Sequence, residues 1–297
     1  MRSGARTVPQ RRIRAAVLCA ALCASCTSDP PAFDTPESVL HDELLDVCLV
    51  SNVVGAALAK DGDGYLCRVL PDGGGERHWI RGGRDGVVLN APKGLAVHGD
   101  VLWVADIDVL RRFDRRSGRP LGDVAIPGAA CLDDVGVAPD GTVYCTDRGL
   151  DAQFAPTGTD AIWRVGVDGG VSPLIQGVDL GQPSGLVARE QGVYVVSWRD
   201  GAFFQVDTKG RRTDLGRSPR AQLDGLVRVE TMEEGGTRTA WYATSWAGRC
   251  VYRFDTSGVC TQVAGELDQP ADCGYDGRRR QLLVPLSGQD RLARLPL

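Results

Sequence analysis

The stretch PKGLAVHGDVLWVADIDVLRRFDRRSG (92–118) decides the fold, because its pattern recurs along the chain. It holds a short strand opening on a small or polar residue, an apolar strand and an amphipathic strand. The same order returns in LDDVGVAPDGTVYCTD (132–147) with AIWRVGVDGG (161–170), and in PSGLVAREQGVYVVSWRDGAFFQVDTKG (183–210). It returns again in LDGLVRV (223–229) with TAWYATSWAGRCVYRFDTSG (239–258), and in ADCGYDGRRRQLLVPLSGQDRLARLPL (271–297). Upstream, PESVLHDELLDVCLVSN (36–52) and GYLCRVLPDG (64–73) complete a set of six. The third segment is usually apolar-Arg-apolar, as in Cys67-Arg68-Val69, Trp163-Arg164-Val165 and Tyr252-Arg253-Phe254. Turns such as Pro139-Asp140-Gly141 and Asp168-Gly169-Gly170 use residues that tolerate left-handed backbone. A fourth, outer strand fits after each unit, as at 121–126 and 171–175. A sheet of this kind cannot bury both faces alone, so repeated sheets stack on their neighbours around an axis. The sequence therefore predicts an all-β chain, a six-bladed β-propeller with four-stranded antiparallel blades over 36–297.

In a propeller the innermost strands line a central channel, so equivalent residues meet although they are far apart in sequence. Aligning the six units brings Glu37, Lys93, Asp133, Ser184, Asp224 and Asp272 to that place. Four carboxylates, an ammonium and a hydroxyl are costly to bury without compensation. A divalent cation with oxygen ligands would compensate them. Lys93 offers two other outcomes: it orients an anionic or carbonyl-bearing ligand without metal, or it closes a salt-bridge ring that plugs the channel.

The ordered segments PESV, NAPKGLA, LDDVGV, PSGL, LDGL and QLLVPL resemble the regucalcin/gluconolactonase-like six-bladed propellers, over about residues 34–297. That family holds a divalent metal with a Glu, two Asn and an Asp. The resemblance places the Glu on Glu37 and the Asp on Asp224, with the Asn positions on Asp133 and Ser184. Neither is Asn here: Asp133 adds charge, and Ser184 is a shorter, neutral oxygen donor. Calcium is the metal implied first, with magnesium or zinc next. The implied chemistry is hydrolysis of lactones or related esters. Asp224 or Asp133 serves as general base, Asp224 being the one the family favours, and Lys93 faces the developing oxyanion. The alternative is a non-catalytic propeller that binds a small molecule in the channel, or a protein, at the cell envelope.

One position ends each apolar strand: Asn52, Asp106, Asp147, Ser197-Trp198, Ser245-Trp246 and Ser287. These residues are candidates to line the channel mouth, with Asn52, Asp106, Asp147 and the two tryptophans against a substrate, Asp272 joining them from the inner ring. The other reading of Trp198 and Trp246 is packing between blades. Asp61-Gly62-Asp63-Gly64 lacks the closing Glu of a calcium loop and reads as a hairpin turn. The three histidines, His41, His78 and His98, fall at unrelated repeat positions, which supports neither a histidine zinc site nor a Ser-His-Asp triad.

The 297 residues carry a net charge of −4, which argues against a nucleic-acid binder, because such proteins need a basic face. No apolar run reaches the roughly 20 residues of a membrane-spanning helix. Five arginines without an acid (Arg2, Arg6, Arg11, Arg12, Arg14) precede the apolar run 15–24 and Cys26. Residues 1–26 read as a secretory signal, with a lipid anchor on Cys26 or plain periplasmic secretion as the two outcomes. Residues 27–35 suit a tether. The expected location is exported, periplasmic or as an outer-membrane lipoprotein. Removing residues 1–25, with their five arginines, leaves a net charge of −9. Seven cysteines lie beyond Cys26, with no CxxC spacing. In an oxidising compartment Cys48 and Cys67, on neighbouring strands, are the best disulfide candidates. Otherwise they are small buried apolar residues.

Overall fold

The apolar strands read as continuous runs rather than alternating ones because both of their faces are covered, as in VCLVSN (47–52), which is buried throughout. The structure, a computed structural model, describes Met1, residues 32–233 and residues 236–297. The expected signal beyond Met1 (2–26), with Cys26, and residues 27–31 of the tether (27–35) lie outside the described residues. Among the described residues no helix is long and apolar enough to cross a membrane.

Six antiparallel sheets follow one another in chain order. Blade one is β1 (Pro36–Asp42), β2 (Val47–Asn52), β3 (Tyr65–Val69) and β4 (Gly75–Arg81). Blade two is β5 (Pro92–His98), β6 (Val101–Asp106), β7 (Val109–Asp114) and β8 (Pro120–Ala125). Blade three is β9 (Leu132–Val137), β10 (Val143–Asp147), β11 (Ala161–Val165) and β12 (Val171–Gln176). Blade four is β13 (Pro183–Arg189), β14 (Gly192–Ser197), β15 (Ala202–Asp207) and β16 (Arg212–Arg217). Blade five is β17 (Leu223–Glu233), β18 (Gly236–Ser245), β19 (Cys250–Phe254) and β20 (Cys260–Ala264). Blade six has three strands, β21 (Gly274–Asp276), β22 (Gln281–Leu286) and β23 (Arg291–Pro296). The only helical segments described are two single 3₁₀ turns.

Six main apolar clusters fill the six blade junctions. Strand alternation divides the residues between them. Leu49 packs toward blade two, with Leu66, Leu102 and Phe113, whereas Cys48 and Val50 pack toward blade six, with Leu283. The innermost strands touch in the cycle β1–β5–β9–β13–β17–β21–β1. The first 17 residues of the repeat, 36–52, stay within blade one as β1 and β2 and do not pair into the last sheet. The ring closes instead through individual bonds. Asp272 N donates to Glu37 O (2.9 Å), Ser38 Oγ to Asp272 Oδ2 (2.6 Å) and Ser287 Oγ to Pro36 O (2.6 Å).

The disulfide expectation fails. All seven described cysteines are free. The β2–β3 register sets Cys48 opposite Val69 and Cys67 opposite Val50, so the two sulfurs are diagonal neighbours on one face. Diagonal pairs stand about 7–8 Å apart at Cα, beyond disulfide reach. Both pack as apolar residues in the junction with blade six.

Candidate functional site

Each of the first five inner strands carries a register shift near its start: between Pro36 and Val39, Pro92 and Leu95, Leu132 and Val135, Pro183 and Leu186, and Leu223 and Leu226. A bulge sets two residues against one and re-aims a side chain. The residues it re-aims here are Glu37, Lys93, Asp133, Ser184 and Asp224. In three blades a hydroxyl of the second strand accepts the bulge's spare N–H. Ser51 Oγ takes Ser38 N (2.9 Å), Thr146 Oγ1 takes Asp134 N (3.0 Å) and Thr244 Oγ1 takes Gly225 N (2.8 Å). The bulge's second residue is glycine where inner strands come closest: a Cβ on Gly94 would lie 2.3 Å from Asp134 Oδ1, and one on Gly225 2.3 Å from Cys273 N.

The hub brings Glu37, Asp133 and Asp224 together, with one carboxylate oxygen of each within 4.8 Å of the others. Ser184, fully buried, bridges two of them: its Oγ lies within hydrogen-bond reach of Asp133 Oδ2 and 3.1 Å from Asp224 Oδ1. One hydroxyl proton cannot serve both acceptors. With Asp224 protonated the contacts resolve, Asp224 donating to Ser184 and Ser184 donating to Asp133. The electrostatics agree. Burial first, then the Asp133 charge, push the Asp224 carboxyl up to about 7. Burial and the charges of Asp133, Asp224 and Asp272 push Glu37 well above the usual carboxylate range. Asp272, held by Ser38, is pushed up to about 7 by burial and by Asp224 and Asp133. Two buried oxygens remain without a hydrogen-bond partner, Glu37 Oε2 and Asp133 Oδ1.

Lys93 is buried in the hub wall, and its Nζ donates to the carbonyls of Ala57 (3.0 Å) and Ala91 (3.3 Å). Among the described residues it forms no ion pair, so no salt-bridge ring is built around it, while its charge lowers the pKa of Glu37 against the larger effects of burial and the neighbouring acids. The cation beside the carboxylates is one that the repeat alignment missed. Arg148 Nη1 stands 3.6 Å from Asp133 Oδ1. Burial works against its charge, but Asp133, Asp224 and Glu37 outweigh it and raise its pKa. The signal was present in the sequence: Arg148 follows Asp147 as Trp198 follows Ser197 and Trp246 follows Ser245. Asp134 was also missed. It clamps the hub, accepting Leu186 N and Val135 N, both at 2.7 Å.

Trp198 and Trp246 do meet beside the cluster, edge to face with ring centroids 5.3 Å apart. Trp246 Nε1 donates to Asp224 Oδ2 (2.7 Å), and the Arg148 guanidinium lies 4.1 Å above the Trp198 ring. Asn52, Asp106 and Asp147 are placed differently. All are fully buried and occupied by backbone groups. Asn52 Oδ1 accepts Asp34 N; Asp106 accepts Asn90 N, Ala91 N and Arg111 Nε; Asp147 accepts Ala130 N, Cys131 N and Gly149 N. They fasten the loop that enters each inner strand and offer no oxygen to a ligand.

Solved structures resemble this one over most of its length. A gluconolactonase from Xanthomonas campestris is 20% identical, the match covering 91% of this chain and 88% of that one, at a TM-score of 0.65. A calcium-binding regucalcin from Agrobacterium tumefaciens is 16% identical over 86% and 82% of the two chains, at 0.59. A virginiamycin B lyase from Staphylococcus aureus is 13% identical over 88% and 94%, at 0.58. No protein-family model and no curated protein matches the chain. At these identities the likeness establishes the architecture, and this chain has the β-propeller fold of those gluconolactonase and regucalcin structures.

Proposed function

We propose that the protein is a divalent-metal-dependent hydrolase of lactones or related esters, acting at the Glu37–Asp133–Asp224 cluster. The observation that carries this reading is the pair of orphaned buried oxygens, Glu37 Oε2 and Asp133 Oδ1, inside a set of three converging carboxylates. Buried carboxylates without donors are costly, and hard oxygen donors fit a hard cation. Glu37, Asp133 and Asp224 would hold the ion, with Ser184 Oγ as a fourth oxygen. Every donor is oxygen and none is histidine or thiolate, which favours calcium or magnesium over zinc, and the calcium-binding regucalcin among the similar structures puts calcium first. A gluconolactonase and a calcium-binding regucalcin among the similar structures support the same class.

A bound cation of this kind polarises a carbonyl and acidifies a water. The chain's own groups do the rest. Asp224, held by Trp246 and Ser184, takes the proton from the attacking water. Trp246 fixes the carboxylate's orientation through Oδ2. Trp198 and Trp246 form the apolar wall against which the substrate ring lies. The leader 1–26 and Cys26 support export and lipid anchoring in the periplasm or outer membrane.

The test is a thermal melt in calcium, magnesium, zinc or chelator, followed by a panel of lactones. A cation bound only to the folded state raises Tm by mass action. A shift with calcium that Asp133→Ala removes is expected, together with lactone hydrolysis lost in Asp224→Asn. No shift with any cation, and no hydrolysis, would move the assignment to a ligand-binding propeller without chemistry. The Ser184 contacts to Asp133 and Asp224 are the observation on that side, since they partly satisfy the cluster without an ion.

A further inference from the structure

Arg148 is a buried cation that faces Asp133 across 3.6 Å yet donates no hydrogen bond among the described residues. Its side chain is only 13% exposed, and its Nε is buried without a hydrogen-bond partner. Among the described residues none of its guanidinium nitrogens makes a hydrogen bond, because the nearest carboxylate oxygen, Asp133 Oδ1, stands at 3.6 Å. Leaving a buried charged donor unpaired costs more than leaving a neutral one. The position is nevertheless well built. The guanidinium is stacked 4.1 Å above Trp198, and Trp198 is braced edge to face by Trp246, whose Nε1 is tied to Asp224. Stacking fixes the plane of the fork, and its Nε keeps a donor that no described neighbour uses.

The chemistry of the acceptor follows. A planar carboxylate matches the fork in two bonds, whereas a neutral carbonyl accepts through one atom. A phosphate dianion would put twice the charge beside Glu37, Asp133 and Asp224. We infer that Arg148 anchors a carboxylate carried by the substrate, so the substrate class is a lactone or ester bearing a carboxylate near the scissile carbonyl. This rests on the channel being the lactone or ester site. It assigns Arg148 as the residue that selects among such substrates.

The test measures binding rather than turnover. Tetrahydrofuran-2-carboxylate and tetrahydrofurfuryl alcohol share a ring, differ in the carboxylate and contain no bond to hydrolyse. Both are titrated calorimetrically into wild-type protein, Arg148→Lys and Arg148→Met at pH 7 in chelator, so that no metal binds the carboxylate. The carboxylate is expected to bind wild type more tightly than the alcohol, by about tenfold to a hundredfold, the range of a charge-assisted hydrogen bond. Arg148→Met should erase that preference. Arg148→Lys, a point charge without the fork, should keep part of it. Equal affinity of wild type for the two probes overturns the inference, as does a preference that survives in Arg148→Met. If circular dichroism shows Arg148→Met unfolded, Arg148→Lys decides, and an undiminished preference there overturns it. Because neither probe is cleavable, absence of lactonase activity would defeat the functional reading without touching this result.

Discussion

Two sets of buried acids lie around the same hub and behave oppositely. Asp106 and Asp147, at the ends of β6 and β10, are fully enclosed, and each is surrounded by donors: backbone N–H groups, joined at Asp106 by the Arg111 guanidinium. Glu37, Asp133 and Asp224, at the bulged starts of β1, β9 and β17, face one another and leave two oxygens without partners. Burial alone does not make a site. What separates the sets is the supply of N–H donors, which the loop entering each inner strand gives to one ring and the bulge withholds from the other. The first set fastens the blades, and the second stores electrostatic cost that a ligand can relieve.

The contrast is sharpest in function. Asp224→Asn should lower hydrolysis by about 10²–10⁴-fold, the range for removing a general base, without lowering the Tm in chelator. Steady-state kinetics beside a melt would check both halves. The reverse pattern is expected at Asp106→Ala, which strands the N–H groups of Asn90 and Ala91 and leaves the Arg111 guanidinium only Asp123. Denaturant unfolding should show a loss of about 3–5 kcal/mol, while the calcium-induced Tm shift survives.

The pH response comes next. Asp224 and Asp272 are raised to about 7 in the folded protein, against about 4 when unfolded. Groups raised in the fold hold their protons more tightly there, so their contribution is complete below the unfolded value and is lost as pH climbs through 7. In chelator the Tm should therefore fall by roughly 10 °C or more from pH 5 to pH 8, and calcium should abolish most of the fall. The smallest effect is expected at Glu37→Gln. Removing one member of the crowded set should raise the Tm in chelator by about 2 °C and shrink the calcium shift. A destabilised Glu37→Gln protein would break the comparison, because it would put Glu37 among the fasteners.

The residues of the hub were legible because the repeat is strong. Once the units are aligned, Glu37, Asp133, Ser184 and Asp224 fall at one register position, and the propeller closes that position onto an axis. Partner choice was not legible. Lys93 shares the register yet turns to the carbonyls of Ala57 and Ala91, which lie 36 and 2 residues away along the chain. Arg148 escaped notice because the residue before it, Asp147, looked like the functional member of the pair. Asn52, Asp106 and Asp147 looked like a channel mouth because sequence shows that a polar residue ends a strand, and does not show which backbone N–H will reach it.

Sequence by itself determined the number of blades, the strand order and which six side chains gather at the hub. These follow from periodicity and from the need of each sheet to cover both apolar faces. Only the tertiary structure decided which of those side chains are satisfied, which cysteines stay apart, and that Arg148 stands against Asp133. Hydrogen bonds and charge interactions act over a few ångströms, so they depend on bulges and registers that pattern alone does not specify.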